Sequence, residues 1–370
     1  MKKKNKAIYL LFLMPFVYFA TACFVVWLVK TSGIYPSGSD TMYHVYRGDY
    51  VYNAIKSGNW YPLYDPAWYN GVEILRYWSP FPAYVMAFCQ YLAGGSQFGA
   101  YLFYIGGVCF LGACVWPFIG RGFNRPYMGA FIGLLWFFMP NNLCAIFIEG
   151  NLARSLSMIF LPVFIYSVYK YLYNHKLRYI PLMVFTFLLM ELCHLGYAGM
   201  VAIAVIIYGI VYMIQKGRKK AVLDVVISMI FGFMLLGIWL VASLRGGITS
   251  LDNSENMANF FQNLWITINP FERLTRGFEY FYFGFAALVV IVFGILFGYK
   301  KSRTGFVTGF IILLMTTKSA YAVLKHLPGS QYLWMLRFIS IALCMILMSF
   351  LMWDRLKKTL VLMLCVLLVV

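Results

Sequence analysis

Asp40, His44 and Arg47 stand at i, i+4 and i+7 in the stretch SDTMYHVYRGDY, so a helix beginning near Asp40 puts a carboxylate, an imidazole and a guanidinium on one face. Those groups suit proton transfer or a sugar-phosphate site: the carboxylate takes a proton while the two basic groups hold an anion. A solvated amphipathic loop would show the same spacing, and the cluster alone does not separate the two readings. Glu149 and Arg154 follow in FIEGNLARSLS, at a junction of two apolar segments with Asn141, Asn142 and Asn151 nearby. An acid and a base at a membrane boundary are costly to hold and commonly mark a site. A helix-end ion pair or a headgroup contact is the structural alternative. His194, in MELCHLGYAG, has Glu191 three residues before it, and Arg337, in QYLWMLRFISIA, opens a later apolar run. Arg337 either snorkels to headgroups or clamps a phosphate.

Such residues need a scaffold, and composition says which kind. Of 370 residues 62% are hydrophobic and 11% charged, the balance of an integral membrane protein. Repeated continuous apolar runs, rather than alternating ones, predict an all-α polytopic helical bundle and not a β-barrel. The predicted spans are 7–29, 98–118, 127–147, 152–173, 180–193, 196–215, 221–244, 281–299, 304–322, 335–353 and one from Thr359, about eleven in all. That last run is cut short at Val370, so the chain is expected to be part of a longer protein, with 1–370 forming a single transmembrane domain. The start is expected to be an uncleaved anchor, its apolar run being too long for a typical signal peptide.

The net charge of +18 invites a nucleic-acid reading, but the basic residues sit in short loops between spans: MKKKNK, Arg121 and Arg125, Lys176 and Arg178, KGRKK at 216–220, KKSR at 300–303, and Arg355 to Lys358. That is the positive-inside pattern, which places the N-terminus in the cytoplasm and removes the case for nucleic acid. Segment 80–94 is apolar but only about 15 residues long, and a crossing there would throw every later basic loop outside; an interfacial or re-entrant helix is expected. The extracytoplasmic face then carries the long first loop 30–97, the second long loop 245–280, the turn at His194, and most of the twelve acids. Within 245–280, Glu272, Arg273, Arg276 and Glu279 suit an interfacial helix or a solvated loop with i, i+3 ion pairs. Trp60, Tyr61, Tyr64, Trp68, Tyr77 and Trp78 suit interfacial belts or stacking on sugar faces. The eight cysteines all lie in apolar segments and read as small buried hydrophobes. No Walker glycine loop, H-E-x-x-H or G-x-S-x-G is present.

The N-terminal span, the early Asp of a long external loop, G-x-W-Y-P at Gly58–Pro62, Asn70-Gly71 and the S-P-F-P start resemble the GT-C membrane glycosyltransferases. The F-I-E-G-N-L-A-R segment, His194 and the L-P-G-S-Q-Y-L-W-M-L-R-F run resemble, more narrowly, the bacterial membrane proteins labelled 6-pyruvoyl-tetrahydropterin synthase related. The GT-C likeness implies an extracytoplasmic transferase that uses a polyprenyl-phosphate sugar donor and a glycan, lipid or protein acceptor. It makes Asp40 the general base, with Glu149 the second catalytic candidate and His44, Arg47, Arg154, His194 and Arg337 binding substrate. The loop departs from the family pattern in having no D-x-D, so no cofactor is assigned; a divalent metal on Asp40 and His44 is the alternative. Outside that family, a flippase for lipid-linked sugars would place ionisable residues near mid-membrane, and a scaffold for envelope assembly would need no site at all.

Overall fold

In lipid every backbone polar group must find its partner within the chain, and helices meet that demand locally. The computed structural model describes residues 2–36, 38–68, 70–245, 284–326 and 334–353, with 360 and 364, and their elements are all helical. In order they are α1 (Lys2–Ser32), α2 (Thr41–Lys56), α3 (Phe81–Leu92), α4 (Gln97–Gly122), α5 (Pro126–Trp136), α6 (Pro140–Leu143) with a π-helical turn at Cys144–Ile148, and α7 (Leu152–Asn174). Then come α8 (Tyr179–Lys216), α9 (Lys219–Leu235), α10 (Gly237–Arg245), α11 (Gly284–Phe297), α12 (Lys300–Met315), α13 (Lys318–Leu324), a short turn at Met335–Arg337, and α14 (Phe338–Met352).

Among the described residues five helices are long and apolar enough to cross a membrane, or seven if the bent pairs α5 with 140–148 (47°) and α9 with α10 (65°) each count once. The expected eleven are therefore not supported. Proline at Pro140 and glycine at Gly237 break two runs that read as continuous in sequence; α11 and α12 have 14 and 16 residues, short of the roughly 20 that span a bilayer. The run from Thr359, and the cluster Glu272, Arg273, Arg276 and Glu279, lie outside the described residues apart from positions 360 and 364.

The 38 residues of α8 are helical throughout except at His194, whose φ and ψ of −157° and 93° are extended. Tyr179 packs on Tyr166 and Tyr212 on Tyr173, so both ends of α8 lie beside the same end of α7 and the chain doubles back at His194. The arms of α8 correspond to the expected segments 180–193 and 196–215.

Segment 80–94 forms α3, whose 12 residues extend only about 18 Å, well under the roughly 30 Å of a hydrocarbon core. It packs against α2, with Gln90 Nε2 donating to Asp49 Oδ1 at 2.6 Å. α7 is the central helix, fully buried along most of its 23 residues and about 34 Å long. At its C-terminal end the basic segments gather: Lys170 bonds the Gly122 carbonyl, the Tyr173 hydroxyl donates to the Lys301 carbonyl, and Arg218 meets His175. The residues singled out for chemistry gather at its other end.

Candidate functional site

Two glycines let the first loop dock on the start of α7. Gly150 has φ +64°, a left-handed conformation that suits glycine, and a Cβ there would stand 2.7 Å from the Thr41 amide nitrogen. A Cβ on Gly38 would stand 2.6 Å from the Gly150 Cα. With both side chains absent, the Asp40 amide donates to the Glu149 carbonyl at 2.9 Å, and Ser39 Oγ donates to the same carbonyl at 2.9 Å. The π-helical turn just before supplies the rest of the alignment, because the Glu149 amide reaches back five residues to Cys144 O at 2.8 Å. Asn151 caps α7, its side chain accepting from the Arg154 amide at 2.9 Å.

Glu149 is held between two guanidiniums. Arg154, with 0% of its side chain exposed, donates to Glu149 Oε1 at 2.6 Å, and Arg337 Nε lies 3.5 Å from Oε2, an ion pair without a hydrogen bond. Glu149 and Arg154 thus stand behind the cavity described below, and neither lines it.

The break at His194 has a definite cause. In an unbroken helix the Leu195 amide would bond the Glu191 carbonyl; here Ser79 Oγ is inserted between them, accepting from Leu195 N at 3.2 Å and donating to Glu191 O at 2.8 Å. A side chain inserted in the i→i−4 ladder is a recognised origin of a sharp bend. The freed Tyr197 amide donates to His194 Nδ1 at 3.1 Å. A backbone N–H can only donate, so Nδ1 is an acceptor, the ring is neutral, and its proton sits on Nε2. Nε2 faces Arg337 Nη1 at 3.3 Å. Two donors so placed call for a shared oxygen acceptor.

Asp40, His44, Arg47, His194 and Arg337 line one cavity of about 660 Å³, within the range of ordinary ligand sites. Its walls include Trp68, Trp78, Trp239 and Trp334. Trp239 comes from α10, which the bend after α9 swings over the first loop; its Nε1 donates to Leu75 O at 2.8 Å, and Arg76 Nε donates to Ala242 O at 2.9 Å. Burial holds the Asp40 carboxyl above the usual aspartate range, opposed by the cation of Arg337 and the Ser39 hydroxyl. Burial, then the charges of Arg47 and Arg337, push His44 down to about 3, so that it is neutral. Asp40 and His44 both face the cavity, and among the described residues no three His, Cys, Asp or Glu side chains gather as a metal-ligand set.

Of the seven residues picked from sequence, five share the cavity and two brace it. Sequence reasoning missed the pieces that assemble them: Gly38, Gly150, Ser79, Trp239 and Trp334. The glycines carried a faint signal, each lying next to or near an acid in a polar loop. Ser79 stood in the S-P-F-P motif without any sign of this role, which exists only where α8 passes it.

Fold and site together define a helical membrane protein with a polar, aromatic-walled cavity at one end of its bundle. The chain belongs to the 6-pyruvoyl-tetrahydropterin synthase related membrane protein family, whose sequence profile matches residues 75–370. Glu149, Arg154, His194 and Arg337 fall inside the matched stretch, while Asp40, His44 and Arg47 precede it. No curated protein and no solved structure matches the chain.

Proposed function

We propose that this protein is a glycosyltransferase of GT-C type, moving a sugar from a polyprenyl-phosphate donor to a glycan, lipid or protein acceptor on the extracytoplasmic face of the membrane. The observation that carries the reading is the pairing of a desolvated carboxylate, Asp40, with the donors of Arg337 and His194 around one cavity with tryptophans in its walls. Tryptophan faces suit sugar rings, and a donor phosphate oxygen answers the opposed Nη1–H and Nε2–H groups.

In the proposed reaction the acceptor hydroxyl oxygen attacks the anomeric carbon while the bond from that carbon to the phosphate oxygen breaks. The electron pair of the broken bond leaves with the lipid phosphate, where Arg337 and His194 Nε2–H meet the growing charge. The hydroxyl proton passes to the Asp40 carboxylate. Single displacement inverts the anomeric centre, and the donor bond is already activated, so no nucleotide is consumed. Glu149 and Arg154 act by holding Arg337 and the docked loop in place. The clustering of basic residues at the opposite end of α7 supports a cytoplasmic N-terminus and an extracytoplasmic site.

The test is glycan transfer in membranes carrying the protein, wild type against Asp40→Asn at matched protein level. Transfer lost in the variant supports Asp40 as the base. Unchanged transfer removes that role, and no transfer by either protein across a broad donor panel turns the reading toward lipid-linked sugar transport or a scaffold.

A further inference from the structure

Arg47 presents a problem that the proposed reaction leaves unsolved. Its side chain is 2% exposed and lines the cavity, yet its polar contacts are few: Nη2 donates to the Trp78 carbonyl at 3.2 Å, and Nε is buried with no hydrogen-bond partner. Tyr43 and Trp78 offer ring faces 5.4 and 5.7 Å from the guanidinium carbon. Among the described residues no carboxylate lies within ion-pair distance of it, whereas Arg154 and Arg337 both have Glu149. A guanidinium stays charged, and two ring faces and one carbonyl do not replace the hydration of five N–H donors.

Arg47 is also separate from the Arg337 pole. Among the described residues the neighbours of the two guanidiniums differ: Arg337 meets Glu149 at 3.5 Å, His194 Nε2 at 3.3 Å and the Trp334 ring at 4.8 Å, whereas Arg47 meets the Trp78 carbonyl and the Tyr43 and Trp78 rings. His44 lines the same cavity as both guanidiniums. One cavity thus has two cationic poles, one beside Asp40 and one in a tryptophan and tyrosine corner.

We infer that the cavity binds two anionic groups at once, one at Arg337 and His194 and a second at Arg47. This rests on the proposed transferase reading for the first group only. The second is an oxyanion with two sources: the outer phosphate of a lipid diphosphate donor, or the carboxylate of an acidic acceptor sugar stacked on Tyr43 and Trp78. A singly charged donor with a neutral acceptor leaves Arg47 unbalanced.

The experiment is isothermal titration of the full chain in detergent with farnesyl phosphate, farnesyl diphosphate and glucuronate, comparing wild type, Arg47→Gln and the charge-keeping Arg47→Lys. If the second anion belongs to the donor, farnesyl diphosphate binds wild type at least tenfold more tightly than the monophosphate. Arg47→Gln then removes that difference while changing monophosphate binding less than twofold, and Arg47→Lys keeps part of it. If the second anion belongs to the acceptor, the two lipids bind alike. Glucuronate then binds wild type preloaded with farnesyl phosphate at least tenfold more tightly than it binds preloaded Arg47→Gln.

Equal binding of both lipids by wild type together with no glucuronate binding overturns the inference, and does so without any variant that has to fold. So does an Arg47→Gln protein that loses monophosphate and diphosphate binding equally. In both cases monophosphate binding that depends on Arg337 leaves the transferase reading standing. Glucuronate or inorganic pyrophosphate binding that depends on Arg47, with no prenyl phosphate bound at all, supports the second pole and removes the donor reading instead.

Discussion

Glu149→Gln is the sharpest test of how the site is held. Among the described residues Glu149 is the one carboxylate paired with two guanidiniums, buried Arg154 at 2.6 Å and part-buried Arg337 at 3.5 Å, with side-chain exposures of 10%, 0% and 13% for the three groups. Glutamine preserves the shape and removes the charge, leaving buried Arg154 without its paired carboxylate and Arg337 with Asp40 as the acid that remains nearby. Breaking a buried pair in this way costs about 3–5 kcal/mol. Arg154→Met is different, because Glu149 then keeps Arg337 as its counter-ion; the loss is one charge-assisted hydrogen bond, about 1.5–3 kcal/mol. At about 1.4 kcal/mol per factor of ten, the glutamine change shifts the unfolding equilibrium by roughly two to three and a half orders of magnitude. The assay is unfolding in mixed micelles titrated with a denaturing detergent, run identically on wild type and both variants. The reasoning fails if Glu149→Gln unfolds within about 1 kcal/mol of wild type, or if Arg154→Met is the more damaging of the two. Either result would mean that the two guanidiniums do not depend on the Glu149 charge in the way their geometry implies.

The pH dependence follows from Asp40, whose carboxyl burial holds above the usual range. A base works only when deprotonated, so the acid limb of kcat/KM for transfer lies above the ordinary aspartate value of about 4. The stability contributed by protonated Asp40 runs the other way, full below that value and lost as pH climbs through the folded-state one. Arg337→Gln removes the cation that opposes the shift, so the limb of the residual activity moves to still higher pH; a limb that moves down refutes the assignment. Gly150→Ala strains a left-handed residue and drives a Cβ to 2.7 Å from the Thr41 nitrogen. It is expected to cost roughly 1–3 kcal/mol and to lower transfer about tenfold at matched protein level as Asp40 separates from Arg337. Gly199→Ala, at a helical glycine with open space, is the control and leaves both unchanged. Equal behaviour of the two alanines would show that loop docking does not govern the site.

The sequence by itself determined the medium and the candidates. Apolar runs of helical length, interrupted by short basic loops, could only be a helical membrane protein, since lipid offers unpaired backbone groups no partner. Period 3.6 put Asp40, His44 and Arg47 on one face, and α2 carries them there into one cavity. The shortness of the Pro80 segment, read from sequence, is that of α3, whose 12 residues fall well under the roughly 20 a crossing needs. Those features are local, and each can be judged within a window of some twenty residues.

Only the tertiary structure decided what the candidates do together. Glu149 stood from sequence as a second catalytic candidate after Asp40, yet packing turns it inward between Arg154 and Arg337 and leaves Asp40 facing the cavity. His194 read as the end of one span. Its function as a fixed Nε2–H donor depends on Ser79, 115 positions earlier, entering the ladder between Glu191 and Leu195. The closeness of Gly38 to Gly150, the arrival of Trp239 over the first loop, and the absence among the described residues of a carboxylate paired with Arg47 likewise depend on segments far apart in the chain. Spacing along a chain encodes which residues share a helix face, whereas burial and counter-ions belong to the way helices meet, and those are what separate the proposed base, clamp and brace among similar charged residues.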